Sequence, residues 1–343
     1  MRHIGIVGGG NISETHARAA SQIAGLEIAA FHGDHRERTA RLAAQYGAAA
    51  YDDFERFLDH RPLDLIAIGS PSGRHAEQGL AAARRGLHLI VEKPIDVSVE
   101  RADALVAAAD AAGVRLGVFF QDRLHPAVVR IKSILDQGGI GSPVMMSGRV
   151  KWHRLPEYYS ASRWRGTWAL DGGGALMNQA IHTVDLMQWL FGPVARVHGT
   201  TATRVHAIEV EDTAAAVLTF TSGAIGTIEA ATSVYPGYAR RIEITGSEGT
   251  LILEHDRLEN IDLRSAPGRQ QVVANDANAS ATSPAVSDAA AHRRVLEDFI
   301  SAIEAGVRPA CDGREGRKSV AIVQAIYRSA RTGRAVALGE REL

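Results

Sequence analysis

Two short constellations in this chain have the residue types and spacing to do chemistry. Glu92-Lys93-Pro94 follows the apolar run His88-Leu89-Ile90-Val91, which reads as a buried strand that the proline ends. In an open α/β sheet the ligand crevice lies outside the carboxyl ends of the strands. A lysine there can polarise or protonate a substrate oxygen, whereas away from a crevice it would be an ordinary surface cation. Further on, Gly172-Gly173-Gly174 opens an apolar helical pattern running to Leu190, with Asn178, His182 and Asp185 at i, i+4 and i+7. On an α-helix these three share a face. A histidine between an amide and a carboxylate fits an oriented acid/base, where a lone helical histidine would read as core. One histidine and one aspartate make a poor ligand set, so no metal is expected.

These residues need a scaffold that brings a second reactant to them. The chain opens with the strand pattern His3-Ile4-Gly5-Ile6-Val7, then Gly8-Gly9-Gly10-Asn11-Ile12-Ser13 and a helical pattern to Ala24. This is G-x-G-x-x-G with serine at the third position. Gly8 permits the tight turn, Gly10 lets backbone approach a pyrophosphate, and the helix N-terminus offers N–H groups to it. The second strand ends His32-Gly33-Asp34-His35-Arg36. Asp34 could accept from a ribose 2′-hydroxyl, favouring NAD, or merely cap the next helix. Arg36 could meet a 2′-phosphate, favouring NADP, and the choice stays open. Ser70-Pro71-Ser72, with His75 one turn into the following helix, sits at another strand end.

Strands over 26–31, 63–68, 88–91 and 115–120 alternate with helices over 35–46, 74–85 and 98–112, Ser98 serving as N-cap. Such repetition predicts a Rossmann-type, doubly wound parallel sheet over residues 1–122. Residues 123–343 read differently. A helix over 125–137 and a strand over 144–152 precede a segment rich in aromatics and arginine: Tyr158, Tyr159, Arg163, Trp164, Arg165 and Trp168. With no basic excess elsewhere, it suits the lining of a sugar-sized pocket better than a single-stranded nucleic-acid site.

Successive strands follow from 197 to 263, with a Ser222-Gly223 hairpin. They predict an open, mainly antiparallel sheet with helices on one face and the outer face available for subunit contact. A long loop over 266–291, two helices over 292–305 and 313–331, and a strand over 336–338 complete the chain. The C-terminal helix is expected to pack back on the first domain.

The chain has 343 residues and a net charge of −1. Length suggests two domains, and the charge balance gives no sign of nucleic-acid or membrane partners. No apolar run reaches the length of a membrane span, and a strand at the very start leaves no room for a signal peptide. A single cysteine, Cys311, excludes intramolecular disulfides and Cys-cluster metal sites. The cytoplasm is the expected compartment. Lysine is scarce beside arginine (Lys93, Lys132, Lys151 and Lys318), which reads as codon bias and adds no weight to Lys93.

Together these features resemble the Gfo/Idh/MocA family of nicotinamide-dependent sugar and inositol oxidoreductases over essentially the whole length. Gly8-x-Gly10, Ser70-Pro71 with His75, Glu92-Lys93-Pro94, the triple-glycine helix with His182 and Asp185, and Asp312-Gly313-Arg314-Glu315-Gly316 carry the resemblance. It implies NAD or NADP as cofactor, held by Gly8, Gly10, Asn11, Ile12, Asp34, Ser70, Pro71, His75, Glu92, Lys93 and Gln121. It implies hydride transfer to or from a secondary hydroxyl of a sugar, sugar acid, inositol or nucleotide-linked sugar. Lys93, Tyr159, Arg163, Trp164, Arg165, Asn178 and His182 would meet that substrate, with Lys93, Asn178 and His182 at the reaction.

The family's usual aspartate one turn before the histidine is Asn178 here, which cannot take a proton and leaves His182 as the acid/base. Asn178-Gln179-x-x-His182, with Trp164-Arg165-Gly166 upstream, is similar to the subgroup acting on nucleotide-linked amino-sugar acids. A homodimer or homotetramer is expected. Two alternatives are an NAD-dependent glycosidase working through a transient oxidation, and a non-catalytic dinucleotide sensor. The sensor would be expected to have lost Lys93 or His182, and both are present.

Overall fold

The computed structural model describes residues 1–266 and 289–339, and the chain divides into two compact units. The first comprises residues 1–121 with the described residues 289–317; the second comprises 122–266 with 318–339.

The first unit runs β1 (Arg2–Val7), α1 (Asn11–Ala20), β2 (Leu26–His32), α2 (Arg36–Gln45), β3 (Ala49–Tyr51), α3 (Phe54–Leu58), β4 (Leu65–Ile68), α4 (His75–Arg84), β5 (His88–Val91), α5 (Val99–Ala111) and β6 (Leu116–Val118). The strands form one parallel sheet in the order β3-β2-β1-β4-β5-β6. That is a doubly wound sheet whose order reverses beside β1, so the crevice opens at the carboxyl ends of β1 and β4. Every residue of β4 is buried, which explains its unbroken apolar run. Ser98 caps α5, its side chain accepting from the Arg101 N–H at 3.3 Å. Short β3 and α3, with Asp53 as N-cap, lie where the sequence reading left a gap.

The second unit contains α6 (Pro126–Asp136), β7 (Pro143–Lys151), α7 (Pro156–Ser160), a π-helical segment (Ala175–Ala180) running into α8 (Ile181–Phe191), then β8 (Val194–Ala202), β9 (Thr213–Phe220), β10 (Ile225–Ala231), β11 (Arg241–Gly246), β12 (Gly249–Glu254) and β13 (Arg257–Leu263). After α9 (Ala290–Ala305), which belongs to the first unit, α10 (Gly313–Thr332) and β14 (Val336–Ala337) close the described chain. The predicted loop over 266–291 falls largely outside the described residues.

Eight strands form the second sheet in the order β13-β12-β11-β7-β10-β9-β8-β14, antiparallel except where β7 meets β10. A row of small and apolar residues crosses its inner face in register, through Ala216, Ile228, Gly148, Ile242 and Leu253. Thr183 and Met187 of α8 crowd the space above Gly148, and Ile326 of α10 does so above Gly199. Small residues there let the helices seat closely on the sheet. The opposite face carries Thr, Glu and Arg alternating with Met145, Val217 and Ile225.

Candidate active site

The cofactor half is built at the carboxyl end of β1. Gly8 has φ +116°, and a Cβ there would sit 2.6 Å from Ser13 Oγ and 2.7 Å from the Gly69 carbonyl oxygen. Only glycine serves at that position. Gly10 is different: its backbone is extended, with φ −93°, and a Cβ would meet nothing within 4 Å. It faces open space before the first turn of α1, which no side chain caps, so unpaired N–H groups and the positive end of the helix dipole point there. That cradle fits a pyrophosphate.

Ser13 is buried at the third motif position without distorting α1. Asn11 is exposed and accepts from Arg38 Nη2 at 3.1 Å, and Ile12 covers Gly69. Asp34 is exposed and paired with Arg74 at 2.9 Å, while Arg36 reaches Asp52 at 4.0 Å. Gln121 has a buried Oε1 with no hydrogen-bond partner among the described residues, an acceptor suited to an amide. These features fit a dinucleotide.

Ser70 and Pro71 lie half-buried at the end of β4, with Ser70 Oγ donating to Gln78 at 2.6 Å. His75 and Glu92, expected as cofactor contacts, are not at the surface. His75 is 1% exposed, its two ring nitrogens 2.8 Å from the Pro94 carbonyl oxygen and 2.9 Å from that of Ser70. It ties the ends of β4 and β5 together. Glu92 is also buried, accepting from His16 Nε2 at 2.9 Å and from the Lys93 backbone N–H at 3.1 Å. Burial alone would raise its carboxyl, but the His16 and His292 rings hold it well below the usual carboxylate value. Both residues hold the turn that carries half-buried Lys93.

In the second unit, the helix after the triple glycine begins as a π-segment, so Asn178 does not precede His182 by one α-turn. Glu211 anchors this start, accepting from the Gly174 and Leu176 N–H groups at 3.0 and 2.8 Å and from the Tyr327 hydroxyl at 2.9 Å. Asn178 donates its amide to Asp171 and accepts from Gln179 at 2.9 Å.

Asp185 does not orient His182. It points into the core, bound at 2.7 Å by both Nε and Nη2 of Arg123 and at 3.0 Å by Ser319. The carboxylate beside His182 is Asp122, with Oδ2 3.8 Å from His182 Nδ1. Arg240 bridges Asp122 to Asp256. Burial would raise the Asp122 carboxyl, yet Arg240 and then His182 hold it well below the ordinary range. A fixed anion next to an imidazole favours its protonated form, which a base needs once it has taken a proton. Asp122 and Arg240 escaped the sequence reading because 118 residues separate them.

The aromatic segment divides. Tyr159 is a packing residue: it is 8% exposed, and its hydroxyl is shared with Thr232 at 2.8 Å. Burial pushes that phenol up. Arg163 is exposed and Trp164 half-buried. Arg165 lies over Tyr158 at 4.6 Å and Trp164 at 5.0 Å, while buried Arg154 stacks on the same Tyr158 at 5.6 Å and on Trp152 at 5.0 Å. Gln179 links this stack to Asn178, accepting from Arg154 at 3.0 Å and donating to the Tyr158 hydroxyl at 2.9 Å. Half-buried Arg165 thus brings a cation to a cluster of Arg154, Tyr158 and Gln179 that composition only hinted at.

A doubly wound sheet with a glycine cradle and a strand-end lysine, and a second unit whose helix α8 carries a carboxylate-backed histidine, define a nicotinamide-dependent oxidoreductase that moves a hydride to or from a hydroxyl-bearing carbon. Residues 2–120 match the oxidoreductase family with an NAD-binding Rossmann fold, and residues 128–252 match the GFO/IDH/MocA C-terminal domain. D-apiose dehydrogenase of Paraburkholderia graminis is 30% identical over 98% of this chain and 90% of its own. The chain belongs to the Gfo/Idh/MocA family. The WlbA dehydrogenase of Bordetella pertussis, solved with NADH and UDP-GlcNAcA, is 34% identical over 98% of both chains, with a TM-score of 0.87. Levoglucosan dehydrogenase, solved with NADH and levoglucosan, shares the fold at a TM-score of 0.89 and 23% identity. No helix among the described residues is long and apolar enough to cross a membrane.

Proposed function

We propose that this enzyme oxidises a secondary hydroxyl of an acidic, nucleotide-linked sugar, with Lys93 and His182 acting at one oxygen. The observation that carries the substrate class is the guanidinium of half-buried Arg165, which lies over Tyr158 and Trp164, with the buried Arg154 guanidinium behind it on the same Tyr158 ring. Two cations gathered on one aromatic ring favour an anionic group nearby, and guanidinium suits a carboxylate or phosphate. The similarity to a protein crystallised with UDP-GlcNAcA supports the same class.

His182 takes the hydroxyl proton, and the Asp122 carboxylate stabilises the resulting imidazolium. Lys93 stabilises the negative charge developing on the oxygen. Asn178 accepts or donates a hydrogen bond but moves no proton. A bound nicotinamide would supply the hydride-accepting chemistry. Gly8, Gly10, Asn11 and Ile12 hold the pyrophosphate side, Ser70 and Pro71 flank the crevice, and Asp34 meets the adenosine ribose. Trp164 and Arg163 border the substrate. The working state is a cytoplasmic homo-oligomer, a dimer or tetramer joined through the outer face of the second sheet.

The test is a turnover screen with NAD and NADP, following reduced nicotinamide. UDP-N-acetylglucosaminuronate is set against UDP-N-acetylglucosamine, D-apiose and myo-inositol. The expected preference for the acid sugar in kcat/KM is at least about tenfold. Oxidation of neutral free sugars alone would overturn the substrate class. Glycoside cleavage without net cofactor reduction would favour the glycosidase alternative.

A further inference from the structure

Three buried side chains from distant parts of the first unit converge beneath Lys93. His16 lies on α1, Glu92 ends β5 and His292 lies on α9. His16 Nε2 is 2.9 Å and His292 Nε2 is 3.3 Å from the same oxygen, Glu92 Oε1. The other oxygen, Oε2, accepts the Lys93 backbone N–H at 3.1 Å. Phe119 closes the cluster, stacked on His16 at 4.4 Å and tilted against His292 at 5.4 Å. The relative exposures of His16, His292 and Glu92 are 0%, 1% and 6%.

We infer that His16 and His292 are positioning residues for Lys93, acting through the Glu92 carboxylate to fix the backbone from which the lysine side chain departs. The inference rests on the role proposed above for Lys93.

Glu92 has two oxygens and two jobs. One oxygen faces the imidazole rings, which leaves the other aimed at the Lys93 amide. Without ring donors, the carboxylate would be an uncompensated buried charge and would turn or take up a proton. A neutral imidazole carries one N–H, and here the acceptor lies on the Nε2 side. Neither Nδ1 has a hydrogen-bond partner among the described residues, and His16 Nε2 is hydrogen-bonded to Glu92, so the His16 proton belongs on Nε2; His292 Nε2 faces the same oxygen at 3.3 Å as a close polar contact without hydrogen-bond geometry. Burial keeps the His16 ring neutral by disfavouring its charged form.

The same three residues could be read as a metal-ligand set, since their ligand atoms lie within 4.8 Å of one another. A metal-bound histidine, however, almost always donates its second ring N–H to a partner. Both Nδ1 atoms lack one, which favours the hydrogen-bonded clamp. From the other side His75 holds the Pro94 carbonyl, so the turn bearing Lys93 is fixed before and after the lysine.

The test compares His292→Leu, which removes the polar ring edge facing Glu92, with His292→Gln, whose amide can donate to it. NADH binding by fluorescence titration and the ring tautomers by NMR of histidine nitrogens need no sugar, so they stand even if the substrate reading fails. The expected result is an Nε2–H tautomer at His16. In His292→Leu, kcat falls about tenfold or more, with NADH affinity changed less than about threefold; in His292→Gln it recovers most of the loss. A pure packing role predicts no recovery by glutamine.

Equal turnover in both variants and the wild type would overturn the inference. So would an Nδ1–H tautomer at His16, or one metal ion per chain that disappears in His292→Leu. If His292→Leu does not fold, Glu92→Ala replaces it, because alanine offers no acceptor to the Lys93 N–H or to either ring. Wild-type turnover in Glu92→Ala would be decisive against the clamp.

Discussion

Arg123 grips Asp185 through two parallel hydrogen bonds of 2.7 Å each, and both side chains are almost wholly buried, at 2% and 1% exposure. Trp189 lies 5.4 Å from the guanidinium, and Ser319 of α10 supplies a third donor to the carboxylate. The pair therefore fastens α8, and with it His182, to its surroundings in the second unit. Removing one partner of such a pair strands the other charge and costs about 3–5 kcal/mol. Asp185→Ala should lower the urea midpoint accordingly, and Arg123→Leu should do the same. Because the two residues form one unit, the double variant should lose less than the sum. A stability loss below about 1 kcal/mol in either single variant would contradict this assignment.

The two motif glycines should separate cleanly. Gly10→Val places its side chain in open space on an extended backbone, so the fold should survive while the pyrophosphate cradle is filled. Calorimetric titration should detect no NADH binding to a protein with a wild-type circular dichroism spectrum. Gly8→Ala, at φ +116° and against the Gly69 carbonyl, should lower stability as well. Unchanged NADH affinity in Gly10→Val would remove the cofactor from this turn.

Lys93→Ala and His182→Ala should each reduce turnover by about 10²-fold or more, with smaller changes in cofactor affinity. The proposal that both act at one oxygen predicts that the double variant loses less than the product of the single losses. Asp122→Asn should shift the acid limb of the kcat/KM profile to lower pH, because the neutral amide no longer favours the protonated imidazole. An unshifted profile would exclude Asp122 as its electrostatic partner.

How far the sequence revealed this site depended on how local each feature is. Gly8-x-Gly10 and Glu92-Lys93-Pro94 are legible because strand, turn and helix follow one another within a few residues. The helix bearing His182 was visible, but α-helical spacing misplaced Asn178, since a π-segment inserts its own periodicity before α8. Asp185 looked like an orienting acid because spacing says nothing about which way a buried carboxylate turns. Asp122 with Arg240, and His16 with Glu92 and His292, assemble from segments far apart in the chain. No single-sequence pattern links them. Tyr159 shows a further limit, because an aromatic in the core and one in a pocket wall have the same composition.

Acid stability should carry the mark of the two depressed carboxyls, Glu92 and Asp122. A carboxyl whose folded value lies below its unfolded value stabilises the fold fully above the unfolded value of about 4. That contribution is lost as pH falls through the folded value. Wild-type thermal stability should therefore drop steeply below about pH 4. Glu92→Gln and Asp122→Asn should start lower at neutral pH and decline less on acidification. Parallel curves for wild type and both variants would refute the linkage.

The outer face of the second sheet supports the proposed assembly. Lys151 pairs with Glu229, and Arg241 pairs with Glu243 and Glu254, so part of this face tolerates water as a monomer's would. Beside these pairs, Met145, Val217 and Ile225 are exposed at 48%, 48% and 45%. Ile225 stands directly across from Met145, and Val217 lies on the other neighbouring strand, so the three make one patch. Leu218, Phe220 and Ile228, by contrast, are buried on the inner face. An apolar patch bordered by opposite charges suits a self-complementary contact, in which each copy's charges meet the other's about a two-fold axis. Val217→Asp combined with Ile225→Lys should leave the inner core intact and shift the mass measured by light scattering from a multiple of the chain's 36.7 kDa towards that of one chain. A wild-type protein that scatters as a single chain at micromolar concentration would rule the sheet-mediated assembly out.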